Sequence, residues 1–198
     1  MPPTLDDLIT RRFQDVSISN DGISTSEFLE AAEGVVKLFD ILESAAFYPV
    51  KSDMTTNIAK VKAKYDSDPK AYDTLQKIVL AEAGSKDRTA TQGLLWLKRG
   101  LELTAMGLKR NLDNTEEELS VSFTEAYNNT LKQFHNFIVK KMFSVAMLAC
   151  PDRKSFYLKV GGEKEDANLR LLEWVNALQD LLNQLNVFYA QGSYDKGL

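Results

Sequence analysis

The stretch "DRTATQGLLWLKRGLELTAMGLKR", Asp87–Arg110, decides the fold. It reads as one long helix that is apolar on more than one face. Gly93, Gly100 and Gly107 recur every seven residues, and Trp96 and Leu103 fall on the same side. A glycine inside a helix costs ~1 kcal/mol against alanine. Three in one row therefore imply close packing, or space left for something. A helix apolar nearly all round is buried on several sides. The row marks either a crowded core or the wall of a cavity for an apolar ligand.

Working outward, helical periodicity continues on both sides. Ser24 and Glu27 form a capping-box pattern before "FLEAAEGVVKLFDIL". Pro49 separates that helix from "DMTTNIAKVKAKY", Asp53–Tyr65, where Met54, Ile58, Val61 and Tyr65 make an apolar stripe. In "SDPKAYDTLQKIVLAEAG", Asp68 is the expected N-cap, Pro69 the first helical residue and Gly84 the stop. Ser122 and Glu125 are expected to cap "FTEAYNNTLKQFHNFIVKKMFSVAMLAC" as a single helix that ends at Pro151. "PDRKSFYLKVGGEKE" reads as a loop with at most one short helical turn. "DANLRLLEWVNALQDLLNQLNVFYAQ" is the last long helix, closed by Gly192. No strand, repeat or dividing linker is evident. The expectation is an all-α fold of six to eight helices in two layers, as one domain over residues 1–198.

Composition narrows the function. A net charge of −4 does not favour nucleic acid. The single cysteine, Cys150, excludes an internal disulfide and fits a reducing compartment. The start, "MPPTLDDLITRRFQ", has no apolar h-region, and no run approaches 18 uninterrupted apolar residues. A soluble, cytoplasmic protein is expected. One histidine rules out zinc sites of the HExxH kind, and no nucleotide or dinucleotide fingerprint is present. No metal and no cofactor are expected. A Cys150–His135 dyad would span ~22 Å on a continuous helix, which excludes it.

Polar residues in unusual places say more. Asp53, Asn57 and Lys60 recur at helical spacing along the edge of the apolar stripe, where they are expected to be half-buried. His135 shares a row with Leu131, Ile138, Met142 and Val145, so it is expected to point inward. Each alone has an ordinary reading: a helix-start acid, solvated polar residues, a satisfied core histidine, a core tryptophan. Together, an acid, an amide, a lysine and the indole of Trp96 are the inventory for a polyhydroxylated ring, held by its hydroxyls and stacked on its C–H face. Above an apolar interior, that inventory describes a glycolipid.

"FDILESAAFYPVKSDMTTNIAKVKAKYDSDP", "LLWLKRGLE" and "AYNNTLKQFHNFIVKKMFSVAMLACP" resemble the glycolipid transfer protein family, roughly from Phe28 to Pro151. The resemblance implies a two-layer all-α fold around an apolar pocket for ceramide chains. It implies that Asp53, Asn57 and Lys60 bind the sugar, that Asp53 also takes the ceramide amide N–H and His135 its carbonyl, and that Trp96 stacks under the first ring. Tyr194 is the candidate for a headgroup tyrosine near the C-terminus. Pocket positions fall on Leu38, Phe39, Leu42, Val50, Leu103, Leu131 and Phe143. Membrane-facing positions fall on Phe47, Tyr48, Pro49, Phe137, Ile138 and Lys141. Phe137 stands where the family often has tryptophan, and Gln92 where it usually has an apolar residue. The ceramide-phosphate branch has arginine at the position of Trp96 and a basic residue at that of Asn57, so this chain sits on the neutral-sugar side.

The implied role is a non-enzymatic carrier of glycosphingolipid, monomeric, meeting membranes transiently. The alternative, suggested by the family's fungal incompatibility branch, is a glycolipid sensor that signals to a protein partner. A glycosidase using Asp53 lacks a second carboxylate in sight.

Overall fold

The computed structural model describes Asp7, residues 9–161 and residues 166–198. Among the described residues there are eight α-helices: α1 Thr25–Ile41, α2 Tyr48–Ser67, α3 Leu75–Glu82, α4 Thr89–Asp113, α5 Leu119–Asn129, α6 Phe137–Leu148, α7 Arg153–Gly161 and α8 Ala167–Gly192. The all-α expectation holds, with one addition. Ile18–Ser19 (β1) and Gly22–Ile23 (β2) form a short antiparallel hairpin that the sequence reading missed. Gly22 is required there: its φ is +133°, and a Cβ would fall 2.1 Å from Oε1 of Gln76. That oxygen accepts a hydrogen bond from the Ile23 backbone N–H at 2.9 Å.

The quoted helix is the hub, since α4 packs against α2, α3, α5 and α8. Leu94, Leu97, Leu101 and Leu108 are fully buried on it. Two of its glycines serve close packing. A Cβ on Gly93 would meet Cβ of Lys60 at 2.9 Å, and one on Gly107 would meet the Phe123 ring at 2.8 Å. Gly100 has room, with Met54 at 3.8 Å, and it lines a cavity. Both readings of the glycine row are therefore correct at different positions. The last helix, α8, buries Leu171, Trp174, Val175, Leu178, Leu181, Leu182, Leu185 and Tyr189, so the chain's second all-round apolar helix also lies in the core. Trp174 packs on Phe13 with ring centroids 5.0 Å apart.

Local caps differ from the patterns in the sequence. Ser24 occupies the N-cap of α1 but makes no side-chain cap. Glu27 instead accepts from the Ser17 backbone N–H at 2.6 Å, because the hairpin brings that donor within reach. Asp68 accepts from the N–H groups of Lys70 and Ala71 in a turn, and α3 starts later, capped by Thr74. Gly192 stays helical while Ser193 takes the left-handed conformation, at φ 50°. The "PDRKSFYLKVGG" segment is not a loop, for it contains the nine-residue helix α7.

The largest departure is at Thr130. The helix expected to run unbroken to Pro151 stops at Asn129, passes through a 3₁₀ turn at Leu131–Phe134, and restarts as α6. Asn136 caps the restart by accepting from the Val139 N–H at 3.0 Å. Ser122 is not a cap. It lies inside α5, accepts from the buried Asn111 amide at 2.8 Å and donates to Glu117 at 2.6 Å. Asn111 also accepts from Arg153 and from the Tyr157 hydroxyl, which joins α4, α5 and α7.

Candidate functional site

The polar row and the break at Thr130 face one another across a cleft of about 530 Å³. α2 supplies Asp53, Asn57 and Lys60 from successive turns. α4 supplies Gln92, Trp96, Gly100 and Leu103. The broken segment supplies Leu131, Phe134, His135 and Asn136, and α6 adds Val139, Met142, Phe143 and Ala146. Because the backbone is extended at His135, the imidazole turns toward α4 rather than following the α6 rows. The stripe expected to carry it inward is correspondingly broken: Ile138, Met142 and Val145 are exposed, though Met142 touches the cleft. The argument against a Cys150–His135 dyad assumed a continuous helix and loses that basis. The two residues in fact line different cavities.

The row is tied together. The buried Asn57 amide donates to Asp53 at 3.2 Å, and Lys60 donates to the Asn57 oxygen at 3.3 Å. Asp53 itself is exposed at the mouth, not half-buried as expected. Surrounding protein nonetheless raises its carboxyl above the ordinary value by burial. Lys60, His135 and the Asn57 hydrogen bond pull the other way. Burial lowers His135 below the ordinary histidine value, with Asp53 opposing and Lys140 adding to the shift. That direction favours the neutral imidazole.

The ring of His135 lies 6.1 Å from that of Trp96, with planes 10° apart. Its Nδ1 is 3.1 Å from the hydroxyl of Tyr127, a buried residue the sequence reading did not single out. Phe143 stacks on Tyr127, with centroids 3.8 Å apart. Tyr127 was hard to see because it sits in a polar-looking stretch, "EAYNNT". Its eight-residue spacing to His135 joins them only through the bend at Thr130.

Behind Phe143 lies a second, narrow apolar cavity of about 40 Å³. Leu38, Phe39 and Leu42 line this inner cavity, Leu131 lines the cleft, and Val50, Leu103 and Phe143 line both. All seven expected pocket positions thus border one apolar path. The single hydroxyl on the inner wall, Thr104, donates to the Gly100 carbonyl at 3.0 Å.

The chain matches the family described as "Glycolipid transfer protein (GLTP)" over residues 23–162. It is 46% identical over 191 residues to a glycolipid transfer protein of Aureobasidium melanogenum, covering 96% of this chain and 95% of that one. It is 38% identical over 156 residues to a glycolipid transfer protein of Danio rerio, covering 73% and 75%. The chain belongs to the glycolipid transfer protein family. Its fold superposes on the crystal structure of HET-C2, a fungal glycolipid transfer protein, with a TM-score of 0.89 at 43% identity over 94% of this chain and 97% of that one.

Within this family member, the other expected positions scatter. Tyr194 is not in the cleft. Its ring packs 4.9 Å from that of Phe188, and its carbonyl accepts from Arg88. Phe47 is buried and lines the inner cavity, whereas Tyr48 is 70% exposed and Pro49 touches the rim of the cleft. Phe137 and Ile138 are 79% and 68% exposed, beside the exposed Lys141. The structure extends that apolar face along α6 through Val145 to Leu148, 88% exposed. Helical spacing from Phe137 would have found both. Among the described residues no helix is long and apolar enough to cross a membrane, and no cluster of three or more His, Cys, Asp or Glu stands ready for a metal.

Proposed function

We propose that the chain carries a glycosphingolipid between membranes without covalent chemistry, acting as one domain and as a monomer. The sugar sits against Asp53, Asn57, Lys60 and Trp96, and the ceramide amide lies between Asp53 and His135. The chains follow the apolar path past Phe143. The observation that carries this reading is the polarity gradient of the cleft: a hydrogen-bonded polar row at its mouth gives way, within one cavity, to Leu103, Phe143 and Ala146, which continue inward. About thirty methylenes at ~0.8 kcal/mol each represent ~24 kcal/mol of exposure to water. Only enclosure offsets that, and the polar row then selects which lipid is enclosed. The test is transfer of a fluorescent monohexosylceramide between vesicles. Release of free sugar would make the protein an enzyme. Tight binding without transfer would favour the sensor role that fungal incompatibility signalling suggests.

Tyr127 has a defined part in this reading. Its burial raises the phenol's pKa, so it keeps its proton. With the hydroxyl 3.1 Å from Nδ1 of His135, we assign it as the donor, which leaves the ring's one proton on Nε2, free to donate to the ceramide carbonyl. His135 is the chain's only histidine, so its ring nitrogens are read without ambiguity. Nitrogen NMR at pH 7 is expected to show a bare Nδ1 and a protonated Nε2. Tyr127→Phe should mix the tautomers and slow transfer about tenfold, the loss of ~1–1.5 kcal/mol. An Nδ1–H signal in the wild-type protein would refute the assignment.

Docking is proposed through Tyr48 and the outer face of α6. Full burial of a phenylalanine or leucine is worth ~1.5–3 kcal/mol, so shallow insertion leaves ~1 kcal/mol each. Lys141 adds ~1 kcal/mol at an anionic surface, and salt screens it. Phe137→Ala with Leu148→Ala is therefore expected to weaken vesicle association more than tenfold at both low and high salt. Association that modest salt abolishes entirely would contradict an apolar contact. The cellular setting expected from this behaviour is the cytoplasm, peripheral to membranes.

A further inference from the structure

A third cavity, about 810 Å³, opens along a different face of α4, and no step of lipid carriage uses it. Its volume is within the ~300–1,000 Å³ range of small-ligand sites. α8 forms one wall with Asn176, Gln179 and Asn183 at helical spacing. Among the described residues, none of these three side-chain amides has a hydrogen-bond partner within the protein. The floor is Lys98, only 7% exposed, held by Glu102 at 3.3 Å and by Asn186. Met106 and Phe134 contribute apolar surface. Lys98 is paired with Glu102, and Asp180 and Asp195 on the same walls outweigh the charge of Arg99, so the groove does not favour an anion. Free amides donate and accept at once. Above an aromatic ring they suit a neutral, hydroxyl-rich ligand.

The groove adjoins the cleft, and Phe134 stands between them, lining both. At the crossing stands Arg99, its guanidinium 3.6 Å from the Phe134 centroid and 4.9 Å from that of Trp96. Arg99 is half-buried, and its N–H groups donate to no acceptor among the described residues. Burial lowers its pKa, but a guanidinium so far above neutrality stays charged. A saccharide that begins on Trp96 meets the donors of Arg99 next, where that side chain covers Phe134, and then the amides of α8.

We propose that this groove is a second carbohydrate subsite, taking the outer sugars of a glycolipid whose first sugar occupies the cleft. This rests on the cleft being the headgroup site. Tethering through the first sugar raises the local concentration of the outer ones to roughly millimolar, so individually weak contacts suffice.

The test compares vesicle transfer of two lipids with the same ceramide, one bearing a single hexose and the other a neutral tetrasaccharide. Wild-type protein is expected to move both. Gln179→Leu with Asn183→Leu lies outside the cleft and should keep monohexosyl transfer within about twofold while slowing the tetraglycosyl lipid about tenfold. Asn183→Trp, which fills the groove, should do the same. Equal losses on both lipids, or none on either, would overturn the subsite. Wild-type transfer of the monohexosyl lipid alone would overturn it too. Failure on both lipids would remove the cleft reading, and the subsite with it. Displacement of the tetraglycosyl lipid by micromolar free tetrasaccharide would overturn the tethering, since the groove would then bind sugar independently.

Discussion

Asp53→Val is expected to reduce glycolipid transfer at least 100-fold while the helical circular dichroism stays unchanged. The carboxylate is proposed to accept from both the sugar and the ceramide amide. Losing a charged acceptor costs ~1.5–3 kcal/mol, and an unpaired amide N–H in the lipid adds ~1–3 kcal/mol. Valine has nearly the same size, and Asp53 is exposed on α2, so the fold has little reason to respond. Its low helix propensity costs only ~0.5 kcal/mol. Asn57 keeps its bond from Lys60, which holds the rest of the row in place. Asp53→Asn should fall between the two, retaining an acceptor without the charge. The raised carboxyl also sets a pH dependence. The accepting form is the ionised one, so headgroup binding is full above the raised pKa and is lost as pH falls through it, at a higher pH than an ordinary aspartate near ~3.9 would give. Transfer by Asp53→Val at the wild-type rate would end the assignment.

Glu82→Ala is expected to cost about 3 kcal/mol of stability without touching the cleft. Glu82 is 5% exposed and caps the start of α4 from outside the helix. It accepts from the Thr91 N–H and hydroxyl, both at 2.8 Å, and from the Ala90 N–H at 3.4 Å. The carboxylate also meets the positive end of the α4 dipole. Alanine leaves those buried donors unpaired. For a chain of this size the thermal midpoint should fall ~6–12 °C. Tyr189 reports on the same place. Its hydroxyl donates to the Thr91 carbonyl at 2.9 Å, and burial, with Glu82 adding, pushes its pKa far upward. A loss below ~1 kcal/mol would mean that water replaces the carboxylate.

How much of this was legible depended on the range over which each feature is determined. The long helices α4 and α8 were plain because their apolar positions repeat over many turns. Asp53, Asn57 and Lys60 were plain because i, i+4, i+7 spacing aligns them on any helix. The break at Thr130 was not, since Leu131 continues the apolar rhythm and neither glycine nor proline marks the site. Its local signals are the run Asn128-Asn129-Thr130, where the helix stops, and Asn136, which caps the restart. The unbroken helix hid Tyr127 as the partner of His135 and set Ile138, Met142 and Val145 on an inward row, whereas all three are exposed and the family resemblance implies a membrane-facing Ile138. The Glu82 cap was invisible for another reason: it joins two helices through a tertiary contact, and no local pattern announces it. The same holds for Glu27, drawn from its expected box to Ser17 by a hairpin of two-residue strands.

The interior beyond Phe143 stands at about 40 Å³. That is room on the order of one or two waters, not for an acyl chain. The inner walls must therefore part as a lipid tail enters past Phe143 and settle together again as it leaves. The apolar contacts that the tail makes offset the contacts broken between the walls. The inner path is a collapsed sleeve that its occupant opens, not a standing tunnel.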